Sequence, residues 1–316
     1  MTSPRQRSIE VRIPASTANL GAGFDCLGLA LEMYLTVRAT VQTSPGSRTL
    51  ARTRGVGSAS LPKSPEENLI FRAMRYTAEK EGFQLPVVRL AVKNEIPIAG
   101  GLGSSAAAAI AGTALAYATA GRPLSRDNGL RYASEIEGHA DNAGAALHGG
   151  LVVTYGQMNG RVGAMRLAWP KMIRVIAVTP SIELPTKKSR AVLPAQVPRQ
   201  DAVHNLQRSA LFIAAIETRH YDLIWDAMHD RLHQHYRQKL IPGLAEVLAM
   251  PQMPGLLGLA LSGAGPSVVA LATAGFDEIG RAIAARFEHA GVTATSRVLE
   301  VAQDGVSILE NRPRRK

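Results

Sequence analysis

With 46% hydrophobic and 19% charged residues, this sequence of 316 residues carries enough apolar surface to offset chain entropy, and its length suits two compact units. Its 36 Lys and Arg against 25 Asp and Glu leave a formal charge of +11. The cations are scattered, densest in the tail Arg312, Arg314, Arg315 and Lys316, and aromatics make up only 5%; this argues against a nucleic-acid partner and for an anionic small ligand.

A single cysteine, Cys26, excludes an intramolecular disulfide and a cysteine-based zinc site, and suits a reducing compartment. The first residues, Met1 to Arg7, lead into no apolar core of signal-peptide length, and no run approaches about 18 apolar residues. No membrane partner is expected, and the expected location is cytoplasmic.

The first predicted element is an alternating strand at residues 8–13, followed by a close-fitting loop of small residues and glycines at 14–25. A strand at 35–41 follows, then a Pro/Gly/Ser-rich excursion at 43–65. Residues 67–81 read as an amphipathic helix, with Leu69, Ile70, Ala73, Met74 and Thr77 on one face. A strand at 85–92 ends in Lys93-Asn94-Glu95-Ile96-Pro97. From Ser105 an alanine-rich run predicts a buried helix, stopped by Gly121-Arg122-Pro123. Ser125 is placed to cap the next helix, which ends at Gly138. Gly149-Gly150 precedes a strand at 151–155, and 156–169 reads as irregular.

The apolar strand 173–178 opens a second unit, which puts the boundary near residue 170 and divides the chain into 1–170 and 171–316. A proline-punctuated segment leads to helices at 201–217 and 221–238. The strands 256–261 and 267–271, a helix at 277–290 and a strand at 293–301 complete the reading. Alternating strands and helices without a fixed repeat predict an α/β or α+β fold.

Chemistry concentrates at Gly100-Gly101-Leu102-Gly103-Ser104-Ser105, between a predicted strand and a predicted helix. Unpaired amides and the positive helix end favour an anion there. Glycines admit phosphate oxygens close to the backbone, and serine hydroxyls can donate to them or ligate a cation. A Walker loop requires Gly-Lys-Ser/Thr where this chain has Gly103-Ser104-Ser105. A dinucleotide loop of the form Gly-x-Gly-x-x-Ala is matched, but no Asp or Glu occurs at 118–126, where the ribose partner belongs. A glycine-rich helix start without a ligand is the remaining alternative. A second glycine turn, Ser262-Gly263-Ala264-Gly265-Pro266-Ser267, is either a plain hairpin or the lining of a pocket beside this loop.

Three segments together resemble the motifs of the GHMP kinase superfamily, named for galactokinase, homoserine kinase, mevalonate kinase and phosphomevalonate kinase. Pro14-Ala15-Ser16-Thr17-Ala18-Asn19-Leu20-Gly21-Ala22-Gly23-Phe24-Asp25 is similar to the first, the stretch from Pro97 to Ala107 to the second, and Leu261-Ser262-Gly263-Ala264-Gly265-Pro266-Ser267 to the third. The ending Gly23-Phe24-Asp25 resembles the homoserine kinase family most closely. So do the segments Glu67-Asn68-Leu69-Ile70, His139-Ala140-Asp141-Asn142, Thr186 to Pro194 and Tyr236 to Pro242. The similarity runs through nearly the whole chain.

The resemblance implies an N-terminal domain like ribosomal protein S5 domain 2, a ferredoxin-like C-terminal domain, and a cleft between them. It implies transfer of the γ-phosphoryl of ATP, with Mg2+, to the side-chain hydroxyl of L-homoserine on the route to threonine, by a homodimer. ATP would meet Asn68, near the adenine, and Pro97, Ile98, Ala99, Gly100, Gly101, Leu102, Gly103, Ser104, Ser105, Ala106 and Ala107. Ser104 or Ser105, with Glu137 or its rival Glu135, would hold the metal. Arg190 and Arg237 match carboxylate-binding arginines, and Asn19, Asp25, His139 and Thr186 complete the substrate set. Glu137, Asp141 and Asn142 would be catalytic; the hydroxyl proton would pass either to Asp141 or to the phosphate. Another GHMP kinase acting on mevalonate or a related alcohol, or a nucleotide-binding regulator without catalysis, are the competing expectations.

Overall fold

The computed structural model describes residues 7–42, 50–59, 62 and 64–311. Much of the excursion that opens at residue 43, the extreme N-terminus and the basic tail Arg312 to Lys316 lie outside the described residues.

Strand β1 (Ser8–Ala18) alternates Ile9, Val11 and Ile13 inward with Glu10 and Arg12 outward, as a sheet with one buried face requires. It pairs antiparallel with β2 (Leu27–Val41), with a register shift between Pro14 and Ala15. β2 pairs along Leu35–Val41 with β4 (Val88–Asn94), and β4 pairs in parallel with β3 (Leu50–Gly55). At its other end β2 pairs with β5 (Leu151–Gly156), which continues to β6 (Val162–Leu167).

One face of this sheet is covered by α1 (Leu69–Glu81), α2 (Ser104–Thr119), α3 (Arg126–Glu137) and α4 (Asp141–His148). Helix α2 is apolar almost all round because it is buried almost all round, and Gly112 lets it press against the Ile70 carbonyl of α1. Asn68 caps α1, its side chain accepting from the Ile70 amide at 3.0 Å. Gly82 ends α1 at φ 68°, and a Cβ there would meet no atom within 4 Å. Gly82→Ala is therefore a pure backbone test. It is expected to lower unfolding free energy by about 1 kcal/mol, the cost of a left-handed L-residue; denaturant titration checks this, with activity unchanged.

The second sheet is formed by β7 (Arg174–Pro180), β8 (Leu256–Leu261), β9 (Val268–Ala272) and β10 (Ala294–Leu299), in the order β10-β7-β9-β8, all antiparallel. Two long helices lie between these strands in sequence, α6 (Arg199–Thr218) after β7 and α10 (Phe276–His289) after β9; the unit is the ferredoxin-like βαββαβ arrangement. The short helix α5 (Thr186–Ala191) precedes α6.

Several stretches differ from the sequence reading, among them α4, which was not expected, and β2, which begins at Leu27 and not at residue 35. β6 occupies part of the segment read as irregular, and β3 lies within the excursion. The single helix expected at 221–238 is broken into short turns, including α7 (Ile224–Ala227) and α8 (Gln234–Arg237); α9 (Leu244–Leu248) follows. Asp230 causes a break: its carboxylate accepts from the amides of Leu232, His233 and Gln234, at 2.8 to 2.9 Å, and starts a new turn. Finally, strand β11 (Ser307–Asn311) follows β10 and returns to the first sheet, antiparallel to β1. Among the described residues no helix is long and apolar enough to cross a membrane.

Candidate active site

The three glycine-bearing segments meet at the N-terminus of α2. Ala99, Gly101 and Gly103 take positive φ (50°, 78° and 72°), which coils the loop and leaves the first amides of α2 facing outward. The Ser16 amide donates to the Leu102 carbonyl at 3.2 Å, and the Gly263 amide to the Ala18 carbonyl at 3.1 Å. Ser262 Oγ donates to the Gly101 carbonyl at 2.6 Å and lies 2.9 Å from the Thr17 hydroxyl. Gly101 has no room for a Cβ, which would sit 2.6 Å from the Ser262 carbonyl oxygen and 2.7 Å from that of Gly265. The second glycine turn is thus both a hairpin between β8 and β9 and a wall of the loop.

These segments line one cleft. It gathers Pro97, Ala99, Gly100, Gly101, Gly103, Ser104, Ser105 and Ala106 with Glu137, His139, Asp141 and Asn142. It also holds Asn19, Asp25, Thr186, Arg190 and Arg237, joined by Gly263 and Ala264. Ile98, Leu102, Ala107 and Asn68 are not in this lining. Leu102 and Ala107 are core residues, and the Asn68 amide is occupied with the α1 cap and the Pro62 carbonyl.

At the phosphate end, Ser105 Oγ donates to Glu137 Oε1 at 2.6 Å. Burial raises the Glu137 pKa, against the opposing pull of the Ser105 hydrogen bond. Glu135 faces away and accepts from the Tyr76 hydroxyl. His139 Nδ1 lies 2.8 Å from Asp141 Oδ1, which also accepts from the Asn142 amide at 2.7 Å. Burial pulls the His139 pKa down, but the Asp141 hydrogen bond and charge carry it above its ordinary value. Asn142 Oδ1 accepts from the Ser16 hydroxyl at 2.9 Å, tying the start of α4 to the first segment.

The other end is cationic. Arg190 grips Asp25 with two parallel bonds of 3.0 and 2.6 Å. Arg237 is 1% exposed, donating through Nη1 to the Gly263 carbonyl at 2.9 Å and through Nε to the Ser189 carbonyl at 3.3 Å. Burial first, and then the charge of Arg190, lower the Arg237 pKa to about 10. Both guanidiniums approach the Phe24 ring, at 5.7 and 5.6 Å from its centroid. Phe24 was unread as a site residue although it stands inside the first motif; only the fold shows two cations converging on it.

The donor set suits a hard divalent cation. Among the described residues no group of three or more His, Cys, Asp or Glu could hold a metal. A hydroxyl and one partly buried carboxylate at a helix N-terminus match the other pattern, in which Mg2+ takes one or two protein oxygens and completes its shell with phosphate and water.

The GHMP kinases N terminal domain family matches residues 68–150, and the GHMP kinases C terminal family matches residues 212–289. Fold and cleft together define a two-domain GHMP kinase. A homoserine kinase of Desulfitobacterium hafniense is 38% identical over 302 residues, covering 95% of this chain and 100% of the relative. One from Solibacter usitatus is 42% identical over 270 residues, covering 85% of this chain and 86% of the relative. The crystal structure of a homoserine kinase from Cytophaga hutchinsonii superposes with a TM-score of 0.83 at 28% identity, over 98% of this chain and 99% of that one. The chain belongs to the homoserine kinase family.

Proposed function

We propose that the enzyme transfers the γ-phosphoryl of ATP to the side-chain hydroxyl of L-homoserine, giving O-phospho-L-homoserine and ADP, as a step toward threonine. The observation that carries this reading is a carboxylate, Asp25, beside two guanidiniums, Arg190 and Arg237, in a cleft that opens at a helix N-terminus wrapped in glycine loops. Arg237 and Arg190 receive the substrate carboxylate, and Asp25 with Asn19 and Thr186 receives the ammonium end. Asp25 and Arg190 neutralise each other before substrate arrives, so each exchanges one charged partner for another.

The loop from Pro97 to Ala107 holds the phosphates, with Asn68 on the adenine side. Ser105 and Glu137, with Ser104 adjacent, would hold Mg2+, which when bound neutralises charge on the phosphate oxygens. The acceptor oxygen bonds to phosphorus as the bond to the ADP oxygen breaks, and the hydroxyl proton leaves with the transferred phosphoryl group. Asp141, steadied by His139 and the Asn142 amide, aligns that hydroxyl. A domain boundary near residue 170, a homodimer and a cytoplasmic location belong to the same proposal.

A coupled ADP-release assay with homoserine, mevalonate and galactose tests the substrate. Turnover of mevalonate or galactose without homoserine turnover overturns it, and ATP binding without phosphohomoserine formation points to the inactive regulator. Arg190→Ala is expected to raise KM for homoserine about 10- to 100-fold, the worth of a charge-assisted hydrogen-bond pair, and KM for ATP less than about 2-fold. Equal rises in both constants would contradict the assignment.

A further inference from the structure

His233 stands one turn before Arg237, four residues back, and its side chain is 0% exposed. Its two ring nitrogens have different neighbours. Nε2 lies 2.9 Å from the Gly21 carbonyl oxygen, which can only accept. Nδ1 lies 3.0 Å from Arg237 Nη1, which can only donate. Together these contacts admit a single state of the ring, neutral, with the proton on Nε2 and a bare lone pair on Nδ1. Burial holds the His233 pKa down, against the pull of Asp230 and with the help of the Arg237 charge. Asp230 Oδ2 is 3.7 Å from Nε2, farther than the Gly21 carbonyl, and its stronger contacts are the turn amides and Asn205 Nδ2 at 2.8 Å.

Three acceptors therefore hold the Arg237 guanidinium: the carbonyls of Ser189 and Gly263, and the imidazole of His233. The first two are backbone atoms of separate segments; His233 alone is a side chain chosen for the purpose. The same ring stacks on Phe24, with centroids 5.1 Å apart and planes 26° apart, and through Nε2 it reaches the Gly21 carbonyl of the first glycine segment. It thus touches both walls of the receptor, the Gly21–Asp25 segment and the arginine that faces it.

We infer that His233 is a positioning residue for the acceptor substrate, its unprotonated Nδ1 fixing the plane of Arg237, while the Nε2–H bond to the Gly21 carbonyl serves to fix the tautomer that makes Nδ1 an acceptor. The inference rests on the reading of Arg237 as the carboxylate anchor. A histidine serves here because no other neutral side chain offers an acceptor and a donor on opposite edges of one rigid ring.

The test compares His233→Asn, which keeps an acceptor near the Nδ1 position, with His233→Gln, which keeps a donor near the Nε2 position, alongside Arg237→Ala. His233→Gln is expected to raise KM for homoserine about 10-fold or more, with KM for ATP within about 2-fold; His233→Asn is expected to stay within about 3-fold of the parent in both. Equal losses in the two histidine variants, or parallel changes in kcat and both KM values, overturn the inference and leave a packing role. If Arg237→Ala leaves KM for homoserine unchanged, the anchor reading itself falls. Should the variants fail to fold, 15N NMR of histidine-labelled parent enzyme near neutral pH decides: an Nε2–H tautomer at His233 supports the inference, and an Nδ1–H tautomer or an imidazolium overturns it.

Discussion

Replacing Glu137 by Gln is expected to lower kcat about 10^2- to 10^3-fold, the scale of losing one preorganised electrostatic partner of the transferring group. Glu137 is the last residue of α3, and Gly138, at φ 80°, turns the chain immediately after it. That turn leaves the carboxylate pointing at the start of α2, 2.6 Å from Ser105 Oγ. Glutamine keeps the length and the oxygen that accepts from Ser105, so the fold is retained while the negative charge is lost. Initial rates across a Mg2+ titration, with thermal melting as a control, measure the effect. Glu135→Gln is the matched control, since Glu135 bonds to Tyr76 outside the cleft and its replacement is expected to leave kcat unaltered. A Glu137→Gln rate within about 3-fold of the parent would remove this carboxylate from the phosphate chemistry.

The contrast between these two acids shows what could be read from the sequence. Both stand near the end of one helix, two residues apart, and helical spacing alone turns one toward the cleft and the other away without saying which. The partner decides, and Ser105 and Tyr76 are each distant in sequence. The same holds for Asp25 and Arg190, whose ion pair spans 165 residues. By contrast the loop before α2 was legible because its chemistry is local: glycines with positive φ, then serines, then an uninterrupted apolar helix.

The elements that were misread have physical reasons. β6 exposes Met165 and Arg166 together and buries only Gly163 fully, so it lacks the alternation that signals a strand. α4 begins at Asp141, within a motif for which no helix is expected, and contains Gly144, where a Cβ would meet Thr154 Cγ2 at 2.7 Å. Glycine there serves close packing against β5 but reads as a loop in one dimension. At 221–238 the apolar spacing is helical throughout, and the break depends on how Asp230 uses its carboxylate.

Gly101→Ala is expected to damage both substrate sites at once, unlike Arg190→Ala. A left-handed φ of 78° costs an L-residue about 1 kcal/mol, as at Gly82, and the new methyl would in addition press on two backbone carbonyls, those of Ser262 and Gly265. Neither is a flexible side chain end, so the 262–265 turn must move. Its Gly263 carbonyl receives Arg237 Nη1 at 2.9 Å and Asn19 Nδ2 at 3.0 Å, so displacement travels from the phosphate loop to the carboxylate anchor. KM for ATP and for homoserine are each expected to rise about 10-fold or more, with a lower melting temperature. Gly82→Ala, with comparable φ but open space, isolates the backbone cost; the excess of Gly101→Ala over it measures the packing between the loops. An effect on ATP alone would show that the turn and the loop move independently, and that the cleft is two adjoining sites rather than one joined at Gly101.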